Sequence, residues 1–190
     1  MFSFRIGHTT VDFTLLIIIV FAALMIAFIK AVWLWKKNNT LLAACQSGDY
    51  QRSIAIANQL LKEYQRSYRI YRSKKTKNAI DQFNIFLAIS YLGQSNNELF
   101  WNFINKAGEV KEKYFWLSIY YYLQDDIEKL KDAKAKILVN TETQKSIQFL
   151  NSILMYKDGK VEESKEMINK IKSDLKFVLL KNIAVDILSK

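Results

Sequence analysis

The chain has 190 residues, room for one anchor and one domain of about 150 residues with a proper core. Its 51% hydrophobic and 14% aromatic content excludes a disordered chain, and the absence of proline with only five glycines argues against a large, turn-rich β domain. One cysteine and one histidine leave no intramolecular disulfide and no CxxC-type metal site, which argues against a metalloenzyme or a triad hydrolase; the net charge of +10 favours an acidic partner, a phospholipid surface or nucleic acid.

Residues 1–12 form a short N-terminal flank carrying Arg5 and Asp12. From Phe13 to Ile29 no charge interrupts the apolar run, and after Lys30 it resumes through Trp35. At 1.5 Å rise per residue, about 20 residues cross a ~30 Å hydrocarbon core, so residues 13–35 read as a single transmembrane anchor. Lys30 can snorkel to the interface, Trp33 and Trp35 suit the headgroup layer, and Lys36 and Lys37 stop the run. A cleaved signal peptide fits less well, because the run is long, basic residues follow it and no small-x-small site precedes the polar region. The excess of cations on the C-terminal side puts the N-terminus outside and residues 38–190 in the cytoplasm, with the protein in the cell membrane.

Beyond Thr40 the apolar residues recur at helical spacing, and an all-α domain is expected. Helices are predicted near 40–46, 50–70, 79–92, 96–107, 111–124, 126–138, 142–157, 160–172 and 174–189. Ser95-Asn-Asn-Glu98 and Thr141-Glu-Thr-Gln144 fit the capping box, and Asp125-Asp126 reads as a helix start. Val161, Ser164, Ile168 and Ile171 make one apolar stripe, and Leu175, Val178, Leu179, Ile183 and Ile187 another.

The basic segment 62–77 holds Lys62, Arg66, Arg69, Arg72, Lys74, Lys75 and Lys77 against Glu63 alone. Such a cluster suits anionic lipid or an acidic partner, and equally a solvated helix end. Tyr64, Tyr68 and Tyr71 interleave with it, as in nucleic-acid binders, but no recognition fold accompanies them, so nucleic acid is the least favoured partner. Aromatic residues crowd 114–122. They read first as core packing between helices and second as a partner groove at Trp101, Tyr114, Trp116, Tyr120 and Tyr121. Cys45 lies on the apolar stretch Leu41-Leu-Ala-Ala-Cys45 and reads as buried packing. No phosphate-cradling glycine loop, metal-ligand spacing or nucleophile–base pair is present, so no catalytic residue, metal or cofactor is expected.

Gly48-Asp-Tyr-Gln-Arg-Ser53 and Gly159-Lys-Val-Glu-Glu-Ser164 share a glycine, a large residue two later and a small residue five later. Leu87-Ala88 before Tyr91 matches Leu117-Ser118 before Tyr121, and Ala107 falls where a second helix again wants a small residue. This pattern over about 41–171 resembles four tetratricopeptide-like units closed by a final helix. Glu98 and Leu130 stand at two small-residue positions, Leu41 at a third, and no proline ends a unit. The resemblance implies a helix-pair solenoid, with an irregular helical bundle as the alternative, and a groove for peptides or proteins. The function expected is a membrane-tethered adaptor or scaffold. The other reading is an accessory subunit of a larger membrane complex, assembled mainly through its transmembrane helix, where Ala22, Ala23 and Ala27 permit close approach.

Overall fold

The computed structural model describes residues 3–6, 9–12 and 14–190, with side chains from Leu16 onward. Phe13, where the sequence places the start of the anchor, lies outside the described residues, as do 1, 2, 7 and 8 of the flank. The chain divides into two units, Met1–Asn39 and Thr40–Lys190.

In the first unit the flank contains two short antiparallel strands, β1 (Ser3–Ile6) and β2 (Thr9–Asp12), paired Ser3 to Asp12 and Ile6 to Thr9. Helix α1 (Thr14–Ser47) follows. It is long and apolar enough to cross a membrane, and between Leu16 and Val32 its large apolar side chains are exposed all round; Phe21 is 65% and Ile26 68% exposed. The separate helix expected near 40–46 forms the last turns of α1. Lys36 to Thr40 contain neither glycine nor proline, so their polarity ends the apolar run without ending the helix.

The second unit continues entirely in helices: α2 (Tyr50–Tyr71), α3 (Lys74–Gly93), α4 (Asn97–Lys106), α5 (Lys111–Leu123), α6 (Ile127–Ala135), α7 (Gln144–Lys157), α8 (Val161–Ile171) and α9 (Val178–Ser189), with a 3-10 turn at Lys172–Asp174. Four turns repeat one geometry. Gly48 (φ 83°), Ser95 (φ 59°), Asp125 (φ 58°) and Gly159 (φ 81°) are left-handed. In each turn the next residue donates its N–H to the carbonyl five positions back: Asp49 to Ala44, Asn96 to Tyr91, Asp126 to Tyr121 and Lys160 to Met155. This is the Schellman closure of one helix. Asp49, Asn96 and Asp126 then cap the next helix by accepting from Arg52, Leu99 and Lys129 N–H.

The turns set a common register. Seven positions before each left-handed residue stand Leu41, Ala88, Ser118 and Ser152; five after stand Ser53, Phe100, Leu130 and Ser164; all are fully buried. In the last pair the Ser164 hydroxyl donates to the Ser152 carbonyl at 2.8 Å. Neighbouring turns touch: the Tyr50 ring covers Gly93, Asn97 bonds Gln124 at 3.5 Å, and Lys157 meets Asp125 at 2.5 Å. The four turns therefore lie along one end of the unit, the turn end. The connections between pairs meet at the opposite, loop end, where Gly108 N–H donates to Asp81 (3.0 Å), Lys111 pairs with Glu142 and Lys145 pairs with Asp174 (2.7 Å).

Several expectations shift. The capping hydroxyl is not that of Ser95, which takes the left-handed position; Asn96 caps α4. At α7 the Asn140 side chain accepts from Glu142 and Thr143 N–H, and Thr141 has no capping role. Helix α3 starts at Lys74, earlier than expected, because the chain turns at Arg72 and Ser73. The final helix does not simply stack on the fourth pair. Val178 at its start lies against Gly48 of the first turn, while Lys190 beyond its end lies over Tyr156 of α7.

The two glycine turns differ in what lies above them. A Cβ on Gly48 would sit 2.7 Å from Val178 Cγ1, whereas one on Gly159 would meet nothing within 4 Å. Gly159→Ala is expected to lose only the left-handed strain, about 1 kcal/mol. Gly48→Ala adds overpacking and is expected to lose about 2–3 kcal/mol. Urea unfolding of the two variants checks the ordering, and equal losses would show that Val178 yields freely.

Candidate functional site

The first helices of successive pairs present equivalent residues inward. Ten positions before their turns, Ile85 of α3, Phe115 of α5 and Phe149 of α7 line one pocket of about 430 Å³. Ile89, Trp116 and Leu180 add to its apolar lining, and Phe177 closes it with its ring edge-on to Trp116 (5.0 Å, 81°). That volume is in the range of clefts that hold a small ligand or a few peptide side chains.

The rim is polar and of mixed charge: Gln82, Glu112, Glu142, Lys145, Ser146, Asp174 and Lys176. Gln82 donates to Glu112 at 3.0 Å. Lys111 bonds Glu142, which lowers the carboxyl pKa and raises that of the ammonium. A second pocket of about 170 Å³ shares Glu112, Phe115, Glu142 and Ser146 and extends towards Ile137 and Thr143. Two of the three rim carboxylates meet lysines, Glu142 with Lys111 and Asp174 with Lys145, so the pocket offers an apolar floor within a charge-balanced rim and favours an apolar side chain.

The five aromatic residues singled out in the sequence separate. Trp116 lines the pocket and is 3% exposed. Trp101, Tyr120 and Tyr121 pack between α4 and α5: Phe100 stacks flat on Tyr120 (4.7 Å, 6°), with Trp101 edge-on to Tyr120 at 5.2 Å and tilted against Tyr121 at 6.1 Å. Burial raises the Tyr121 pKa. Tyr114 donates to Glu109 at 2.6 Å, a bond that raises the phenol pKa and lowers the carboxyl. Lysine ammonium groups lie over several ring faces: Lys106 over Phe103 (4.9 Å), Lys129 over Tyr121 (5.8 Å), Lys136 over Tyr114 (5.6 Å) and Lys157 over Tyr122 (5.2 Å).

Reading the sequence by aromatic density missed Ile85, Phe115 and Phe149. Aligning the first helices on their left-handed turn residues superposes all three, and that alignment needs Ser95 and Asp125 to be recognised as turn residues.

The seven cations of the basic segment are all exposed, along the end of α2, the Arg72–Ser73 turn and the start of α3. Arg66 pairs with Glu63 at 3.3 Å. In α1, Lys30 and Trp35 are exposed, and Lys37 lies over the Trp33 ring at 5.6 Å. Cys45 is buried, 4.0 Å from the Ser90 hydroxyl, which in turn lies 2.7 Å from that of Ser53. Among the described residues, no three His, Cys, Asp or Glu side chains gather as a metal site. No family model, curated protein or solved structure matches the chain.

Proposed function

We propose that this protein is a membrane-tethered interaction module, in which α1 spans the bilayer and tetratricopeptide-like helix pairs hold a segment of a protein partner. The supporting observation is the pocket shared by equivalent positions of α3, α5 and α7, with Trp116 in its wall and carboxylates on its rim. The partner segment would offer an aromatic or aliphatic side chain to the apolar floor. By the excess of basic residues after the span, the helical unit lies on the cytoplasmic side.

The test places a photo-cross-linking amino acid at Phe115, in the pocket, and at Lys131, exposed on α6, in the full membrane-inserted chain. One partner cross-linked from position 115, absent from position 131 and lost in Glu112→Lys, supports the reading. Equal capture from both positions overturns it. A partner that disappears when α1 is exchanged for an unrelated hydrophobic helix assigns the function to assembly within the membrane instead.

A further inference from the structure

Within the Thr40–Lys190 unit, unopposed positive charge concentrates at the connection between α2 and α3. The turn end carries Asp49, Glu98, Asp125, Asp126 and Asp158, with Lys129 paired to Asp126 (2.7 Å) and Lys157 to Asp125 (2.5 Å). The loop end carries the basic segment 62–77 and, further along it, Lys134 and Lys136, together with Asp81, Glu112, Glu142 and Asp174, of which Glu142 pairs with Lys111 and Asp174 with Lys145. The start of α3 concentrates the charge: Lys74, Lys75 and Lys77 occupy its first turn with no acidic residue, and Ser73 makes no side-chain cap. Cations there add to the positive end of the helix dipole rather than opposing it.

The same end exposes two apolar pairs at its connections. Ile70 and Tyr71, before the α2–α3 turn, are 73% and 74% exposed; Leu138 and Val139, after α6, are 79% and 81% exposed. The second pair sits on an ordered loop, since Thr143 Oγ donates to the Leu138 carbonyl at 2.6 Å and accepts from Asn140 N–H at 3.0 Å.

We propose that the loop end of this unit docks on an anionic bilayer, the cations facing lipid headgroups and Ile70, Tyr71, Leu138 and Val139 entering the headgroup layer. Small, separate apolar tips ringed by cations match a fluid anionic plane, which accepts each tip where it falls. A folded acidic partner would instead require a continuous shaped surface. Tyrosine is moreover a residue enriched at the bilayer interface. The inference rests on the tethering part of the proposed function and uses none of the pocket-lining residues.

The test uses the full chain in lipid nanodiscs of phosphatidylcholine, with or without phosphatidylserine. A nitroxide is placed at Tyr71→Cys, Val139→Cys or, as a turn-end control, Glu98→Cys; buried Cys45 does not compete for label. Collision with oxygen and with a water-soluble nickel chelate reports depth. With phosphatidylserine present, labels at 71 and 139 are expected to become oxygen-accessible and nickel-protected while the label at 98 stays aqueous. Lys74→Glu/Lys75→Glu/Lys77→Glu should abolish this protection, and acidic residues suit a helix N-terminus, so that variant keeps α3. Labels at 71 and 139 as nickel-accessible as that at 98 overturn the proposal. So does immobilisation only on adding RNA or polyglutamate, which assigns the surface to an acidic macromolecule. Alkaline extraction of the same samples reads the tether separately. A chain that resists alkali with aqueous labels loses the docking and keeps the anchor; a chain released by alkali loses the anchor, whatever its labels report.

Discussion

Phe100→Ala is expected to destabilise the helical unit by about 3–5 kcal/mol, a large part of the 5–15 kcal/mol typical of a folded domain. The Phe100 side chain is fully buried, stacks flat on Tyr120 at 4.7 Å and touches Trp101 edge-on at 5.8 Å. Removing it forfeits the transfer free energy of a benzyl group and the aromatic contacts. The Tyr120 and Trp101 rings are held by contacts with each other and with Tyr121, which limits how far they can collapse into the space. Urea unfolding of the full chain in micelles, followed by near-ultraviolet circular dichroism, checks it. A loss below about 1.5 kcal/mol would mean that the α4–α5 interface repacks freely.

Phe100 also shows where sequence reading stopped. Counting from Gly93 puts Glu98 at the buried position of the second pair, but the left-handed residue is Ser95, two places on, and the buried position is Phe100. Glycine marks this conformation openly at 48 and 159, because it alone adopts positive φ without steric penalty. Serine and aspartate at 95 and 125 adopt it only because the Schellman bonds and the packed helices on either side require it. The register, and with it the alignment of Ile85, Phe115 and Phe149, was therefore half visible. The long apolar helix, the helical class and most helix extents were legible because a long apolar run and the 3.6-residue period are local signals. The continuity of α1 was not, since Lys36 to Thr40 are polar yet compatible with helix. Nor was the route of α9, whose meeting with Gly48 depends on residues far apart in sequence.

Two arginines in the middle of the apolar run of α1, at Phe21→Arg and Met25→Arg, are expected to convert the protein from alkali-resistant to alkali-extractable. Both residues lie well inside the apolar run, 65% and 46% exposed, on one face of the helix. Each arginine near the bilayer centre disfavours insertion by about 2.5–3.5 kcal/mol, so the pair opposes it by about 5–7 kcal/mol. Neither ammonium-like group of Lys30 or Lys36 offers compensation, since like charges repel. The measurement is carbonate extraction of membranes expressing each variant, with unfolding of the helical unit as a control. An alkali-resistant double variant would remove the bilayer span from the reading of α1.

The lysines that lie over aromatic rings also bear on how this protein can be handled. Protein engineers often exchange surface lysines for alanine to encourage crystallisation, on the premise that such side chains contribute only mobile charge. At Lys106, Lys129, Lys136 and Lys157 the exchange would strip a cover from Phe103, Tyr121, Tyr114 and Tyr122, all on the same helical unit. The newly uncovered rings would be adhesive, trading a soluble surface for an aggregating one. Arginine, which keeps both the charge and a flat face for stacking, is the replacement these positions tolerate.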